Sequence, residues 1–329
     1  MKRIARRIAA TTVASGIIAA GAVGLAGAAS ASTLSPASPA SLASSARTTS
    51  YSFQTLNNNR DVTFNQLLGI NDFGVIAGYF GSGAAGHPNQ GYLLTPSHTQ
   101  YINENFPGSA QTQVTGLNNR GVTVGFWSGM NNANMVNDNH GFVDVNGHFR
   151  TADFPTGDAA APPVDQLLGV NDNDVAVGFF VDAQGNNHGY EYNIATRRFS
   201  TVTESGVTSL TAAAINNRGD VAGFYSNGGT TDSFIKFGNR TFISLAFPGA
   251  SATTALGVSN GDEVVGFYTD AANNMHGFTW QAGRGFATVD DPHGAGTTTI
   301  NGVNDFGQLV GFYVDAAGNT DGFLATPQR

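Results

Sequence analysis

The side chains able to do chemistry in this 329-residue chain recur at fixed offsets. Three segments share one spacing: Asp182-Ala-Gln-Gly-Asn-Asn-His188, Asp270-Ala-Ala-Asn-Asn-Met-His276 and Asp315-Ala-Ala-Gly-Asn-Thr-Asp321. Their oxygens raise calcium as a cofactor, with Asp182, Asp270 and Asp315 as the metal ligands. A calcium loop, however, places oxygens at alternate residues and closes with a bidentate Glu, and neither feature is here. A tight turn whose Asp and Asn bond nearby backbone amides accounts for every residue of the pattern, so turns are the expectation.

His140, His188 and His276 each precede a glycine and an aromatic, and Gln90, Asp232 and Asp321 hold the same place elsewhere. Zinc needs several such groups within about 2 Å of one ion, and equivalent positions of separate repeats stand too far apart for that. "DPHGAGT" (291–297) puts Asp290, Asp291 and His293 together; their convergence with Asp165 would make an acid–base site for hydrolysis or elimination. The stretch "SGMNNANMVNDNH" (128–140), with Trp127, Met130 and His140, sets amide donors beside an aromatic platform, which suits a sugar. Glu104, Glu191, Glu204 and Glu263 share no motif, and Glu104 and Glu263 are expected on solvated strand edges. Neither a Gly-x-Ser-x-Gly elbow nor a phosphate loop is present.

The elements that must position these residues are legible as an internal repeat. Asn71, Asn118, Asn171, Asn216, Ser259 and Asn304 open six copies of one phrase, and seven residues on stands Gly78, Gly125, Gly178, Gly223, Gly266 or Gly311. Spacings of 43 to 53 residues without helical periodicity match a four-stranded propeller blade. Strand a ends at the Asn, and a tight turn follows whose fourth residue needs a left-handed backbone. Gly74, Gly121, Gly219 and Gly307 supply it, and Asp174 and Asp262 tolerate it. Strand b carries the invariant glycine, where a side chain of another blade is expected to press on the backbone. Strand c opens at Gly91, Gly141, Gly189, Ser233, Gly277 and Gly322. Strand d opens at an aromatic, Tyr101, Phe149, Phe199, Phe242 or Phe286, and Pro107, Pro155, Pro248 or Pro292 ends it in four copies.

The folded region begins with a d-like strand around Phe53 and ends with a c strand at Gly322, so the strands balance only if the first completes the last blade. The prediction is an all-β, six-bladed β-propeller of four-stranded blades, closed by its N-terminal strand. The short a-to-b turns form one face. The variable d-to-a and b-to-c loops form the other, where function is expected.

The phrases "GLNNRGVTVGF" (116–126), "INNRGDVAGF" (215–224) and "VNDFGQLVGF" (303–312) resemble the HAF-type extracellular repeats of bacterial secreted proteins. The likeness covers residues 50–329, with His-Gly-Phe or His-Gly-Tyr in place of the name-giving His-Ala-Phe. It implies the repeat fold and export, and it carries no catalytic residue.

Residues 1–31 read as a secretory signal peptide: MKRIARR, a weakly apolar run and a small-x-small site. Residues 32–49 read as a Ser/Ala/Pro/Thr-rich disordered linker, and residues 50–329 as the propeller. After processing, 11 basic residues face 23 acidic ones, which disfavours nucleic acid, anionic lipid and polyuronates as partners. Arg150, Arg197, Arg198, Arg240 and Arg284 fall mostly at the c-to-d turns, away from the loop face. There is no cysteine, so stability rests on packing and closure.

The sequence thus reads as an extracellular, monomeric binding propeller without membrane insertion. Its expected ligand is a neutral glycan or an extracellular protein, held at Trp127, Met130, His140, His188, His276, Asp290, Asp291 and His293. An extracellular polysaccharide hydrolase or lyase, or a structural protein of the envelope, are the alternatives.

Overall fold

The computed structural model describes residues 49–84, 86–129, 138–227, 229–238 and 241–328. The signal peptide and, but for Thr49, the linker lie outside the described residues, as does Met130.

Among the described residues, twenty-four strands form six antiparallel four-stranded blades. β1 (Tyr51–Thr55) comes first in the chain and belongs to the last blade. Blade 1 is β2 (Asn65–Ile70), β3 (Ile76–Phe80), β4 (Gln90–Leu94) and β5 (Tyr101–Asn103). Blade 2 is β6 (Gln111–Leu117), β7 (Val122–Ser128), β8 (His140–Val145) and β9 (His148–Thr151). Blade 3 is β10 (Asp165–Val170), β11 (Val175–Val181), β12 (Asn187–Asn193) and β13 (Arg198–Thr201). Blade 4 is β14 (Ser209–Ile215), β15 (Val221–Asn227), β16 (Thr230–Lys236) and β17 (Phe242–Leu245). Blade 5 is β18 (Ala252–Val258), β19 (Val264–Thr269), β20 (Met275–Gln281) and β21 (Gly285–Thr288). Blade 6 is β22 (Thr299–Val303), β23 (Leu309–Val314) and β24 (Thr320–Pro327), completed by β1 in the register Tyr51↔Pro327 to Thr55↔Phe323.

The first strand of each blade lines the axis, and each carries a bulge at the same place. The small residue after the bulge lets neighbouring blades touch backbone to backbone. A Cβ on Gly169 would lie 3.0 Å from the Cα of Ala214, and one on Gly116 3.1 Å from the Cα of Gly169. The strand-b glycine has a different cause from the one expected. A Cβ on Gly178 would sit 2.0 Å from the carbonyl oxygen of Gln166, in its own blade, and one on Gly125 would also meet the ring of Phe142 in its own blade. The close approach of another blade falls instead at strand c, where a Cβ on Gly189 would be 2.6 Å from Leu210 of blade 4.

Between blades the core is aliphatic and aromatic. Leu67 and Tyr92 of blade 1 pack on Val310 and Leu324 of blade 6. Burying a Leu of this kind contributes about 2 kcal/mol. Three further staples cross the seams. Phe106, Phe154 and Phe247, each just before a proline, leave one blade and stack on Trp127, Phe180 and Tyr268 of the next. Their N–H groups donate to Thr112, Asp165 and Thr253, and Asp291 donates to Thr298 in the same way. The proline thus ends strand d and aims the preceding side chain across the seam.

The six a-to-b turns explain the repeated Asn. Oδ1 of Asn171 accepts the N–H groups of Asn173 and Val175, while its Nδ2 donates to the carbonyl of Asn216 in the next blade. Asn71, Asn118, Asn216 and Asn304 do the same, the last reaching Asn71 to close the circle. Ser259 keeps the two turn bonds through its hydroxyl but has no amide to send onward. The fourth turn residue is left-handed in each case named from the sequence, with φ of 75° at Gly74 and 57° at Asp174.

Two outcomes follow. Deleting Ser50 to Leu56 removes β1 and exposes the edge of β24, so the melting temperature should fall sharply; an unchanged thermal transition would contradict the closure. Asn171→Ala leaves buried donors unmatched and should cost about 3 kcal/mol in urea unfolding. Asn171→Ser, copying blade 5, should cost only about 1 kcal/mol because the turn bonds survive.

Candidate functional site

The loop face is built from one repeated latch. Four residues after the strand-d aromatic stands Asn57, Asn105, Asp153 or Asp290. Its Oδ1 accepts the N–H of the glycine opening strand c, at Gly322, Gly91, Gly141 and Gly277 respectively. Its other polar atom meets the residue before that glycine. Asn57 bonds Asp321 and Asn105 bonds Gln90, while Asp153 and Asp290 each meet a histidine Nδ1 at 2.7 Å, His140 and His276. The His–Asp pair therefore occupies a position that Asn105–Gln90 and Asn57–Asp321 fill in other blades, where its work is to tie strand d to strand c. In blade 3 Thr203 holds the latch position, and His188 turns to Asp182, 2.7 Å away.

His140 also lies 3.6 Å from Asp138, and His276 3.5 Å from Asp270. The bond to Asp290 raises His276 above the ordinary imidazole range, with Asp270 adding to it. The three repeated Asp residues cap their own turns. Oδ1 of Asp182 accepts from Gln184 and Asn186, that of Asp270 from Ala272 and Asn274, and that of Asp315 from Ala317 and Asn319. Bonds from Asn274 hold the Asp270 carboxyl low, and bonds from Asn319 do so for Asp315. The three turns belong to blades 3, 5 and 6, and among the described residues no three His, Asp or Glu side chains are grouped to hold a metal ion.

Trp127 stacks on Phe106 (centroids 4.6 Å apart, 6° between planes) and on His140 (4.9 Å, 29°), so neighbours already cover much of its ring. His188 stacks on Phe180 and His276 on Tyr268 in the same fashion. The acid–base group expected from Asp165, Asp290, Asp291 and His293 is divided. Asp290 serves His276, and Asp291 is buried and accepts from the backbone and ring of its neighbour His293. Asp165 lies in blade 3, where it accepts from the Tyr190 hydroxyl and from the Phe154 N–H. Burial pushes the Asp165 carboxyl up to about 7. The equivalent position is Thr112, Thr253 or Thr298 in other blades, so a neutral hydrogen-bonding group serves there.

Glu104 departs from its expected solvated edge. It is 8% exposed, and Thr123 of blade 2 donates to Oε1 at 2.7 Å. Burial, with Asp144 of blade 2 beside it, raises its pKa. Asp144 Oδ1 is buried with no hydrogen-bond partner among the described residues.

The opposite face holds polar residues that the sequence reading passed over. After each turn Asn or Ser comes Asp72, Asn119, Asp172, Asn217, Asn260 or Asp305, and each accepts through Oδ1 the N–H of its counterpart one blade back. The six bonds close a ring around the axis at the mouth of a cavity of about 100 Å³. The signal was present as an unbroken Asp/Asn column one residue after the repeat Asn. Beside this ring Phe73 and Phe306 are 67% and 66% exposed.

Native Glu104 and Asp165 hold their protons above the range of unfolded carboxyls, so folding takes up protons between about pH 4 and pH 7. Stability should therefore fall as pH rises through that window. His276, raised in the native state, loses its contribution in the same direction as it deprotonates. Urea unfolding at pH 5 and pH 8 should show the higher midpoint at pH 5, and the pair Glu104→Gln with Asp165→Asn should shrink the difference to the part carried by the remaining groups such as His276. A wild-type profile that rises from pH 5 to pH 8 would contradict these assignments.

No protein-family model matches the chain, and no curated protein is detectably similar to it in sequence. Solved structures share its architecture. TolB from Acinetobacter baumannii is 14% identical with a TM-score of 0.50, over 78% of this chain and 65% of TolB. A prolyl endopeptidase is 12% identical with a TM-score of 0.50, over 84% of this chain but 42% of that one. Virginiamycin B lyase from Staphylococcus aureus is 8% identical with a TM-score of 0.48, over 84% and 99%. The chain thus spans less than two thirds of TolB and of the endopeptidase. At these identities the likeness is one of fold, and the fold is a β-propeller.

Proposed function

We propose that this chain is an exported, non-enzymatic binding propeller of the HAF-repeat type, and that it holds a neutral glycan on the a-to-b turn face. The observation that carries this reading is the pair of exposed rings, Phe73 and Phe306, beside an axial rim made of amides and carboxylates. Aromatic faces stack on the C–H surfaces of sugars while amides and carboxylates take their hydroxyls. The acidic balance of the chain disfavours a polyanionic ligand. On the loop face, His140 and His276 pair with Asp153 and Asp290 at the position that ties strand d to strand c.

The full chain should retain neutral oligosaccharides on an array, equally with calcium and with EDTA, and should return the bound sugar intact by chromatography. Shortened or unsaturated products would replace the reading with that of a hydrolase or lyase. Retention of no neutral glycan alongside capture of a defined extracellular protein would replace it with a protein-binding role.

A further inference from the structure

In blades 2, 3 and 4 the residue two positions after the repeat Asn bridges to the a-to-b turn of the next blade, whereas blades 1 and 6 carry the exposed Phe73 and Phe306 there. Arg120 reaches the Asp172 carbonyl and the Asp174 carboxylate, Asn173 reaches the Asn217 carbonyl, and Arg218 reaches the Asn260 carbonyl and Asp262. In blade 5 this residue is Gly261, which has no side chain to send to blade 6. Ser259 in the same turn also lacks the amide that ties the other turns to their neighbours. The seam between blades 5 and 6 therefore opens at this face into a cleft of about 410 Å³, the size of a small-ligand site.

Among the described residues, three side-chain polar groups around the cleft make no hydrogen bond within the fold. Four residues after the repeat Asn, blades 1 to 3 carry Val75, Val122 and Val175, whereas blades 4 to 6 carry Asp220, Glu263 and Gln308. Asp220 pairs with Arg218 and Gln308 accepts from Asn304. The Glu263 carboxylate has no hydrogen-bond partner among the described residues, and neither do the Tyr51 hydroxyl on β1 and the Arg284 guanidinium across the cleft. Glu263 interacts electrostatically with both, and burial raises its pKa and that of Tyr51. Phe306 stands at the lip as an exposed ring.

We infer that the cleft between blades 5 and 6 is the glycan subsite, taking one or two neutral sugar rings. The ring face stacks on Phe306, and the hydroxyls bond Glu263, Arg284 and the Tyr51 phenol. A carboxylate, a guanidinium and a phenol together offer both acceptors and donors, the complement that vicinal hydroxyls present. This inference rests on the binding role proposed above and gives it a location.

The test uses the full chain with an array of neutral mono- and disaccharides of hexoses, deoxyhexoses and N-acetylhexosamines, followed by titration calorimetry on the best probe. Phe306→Ala and Arg284→Ala should each weaken binding by at least about tenfold. Gly261→Arg supplies the side chain used at Arg120 and Arg218; Gly261 does not have a positive φ, and a Cβ there meets nothing closer than 3.6 Å. It should abolish binding while leaving the melting temperature unchanged or higher. A wild-type chain that binds a probe while Gly261→Arg binds it equally well overturns the subsite and leaves the binding role standing. A wild-type chain that binds none of the probes overturns both.

Discussion

A closed ring of blades has one demand that every other feature serves: each blade must present the same two surfaces, because the last must meet the first. The axial turns meet this demand through hydrogen bonds. A backbone N–H in each blade donates to the Asp or Asn side chain of the next, around to the start, and a second set of amide bonds runs beside it everywhere but from blade 5. Each such bond is worth about 1 kcal/mol, and together they are comparable with the net stability of a folded domain. The ring needs small residues to exist. With Gly116, Gly169 and Ala214 at the bulges the backbones meet near 3 Å from any added Cβ, and larger side chains would force the turns apart.

Closure by β1 extends the same logic to the rim. A propeller ending on β24 would leave an open edge, and the five-residue pairing of β1 covers it with strand-d geometry. Because β1 comes from the start of the chain, blade 6 is assembled from both ends. Its neighbouring seam to blade 5 is also where the repeat is least regular, with Ser259 and Gly261 replacing the bridging side chains.

Departures from the repeat come in matched sets, which shows how a polar residue is admitted to a buried seam. Tyr190 stands where Phe142, Phe234, Phe278 and Phe323 stand in four other blades, and its hydroxyl is met by Asp165 where blades 2, 5 and 6 use Thr. Glu104 and Asp144 enter together, one from each blade. The histidine latches follow the same rule, since His140 and His276 occur where strand d ends in Asp, and Gln90 where it ends in Asn. At Tyr190 and the two histidine latches the buried polar group changes together with its partner, whereas the buried Tyr92 hydroxyl of blade 1 has none among the described residues.

Blade number, strand order, left-handed turn positions and N-terminal closure were determined by the sequence alone, because each is a consequence of a local period repeated six times. Gly74 and Asp174 could be assigned positive φ from their place in a four-residue turn. The tertiary structure alone decided which neighbour each side chain meets. The strand-b glycines answer to the carbonyl of their own blade, Glu104 is enclosed by a blade that follows it in the chain, and Asp165 and Asp290 stand in different blades. Burial and partnership are set by packing across seams, and residues from 43 to 53 positions apart become adjacent there. The same holds for the two faces. Loop variability pointed to one, but the cleft between blades 5 and 6 arises on the other because a missing side chain at Gly261 leaves a space that only the assembled ring defines.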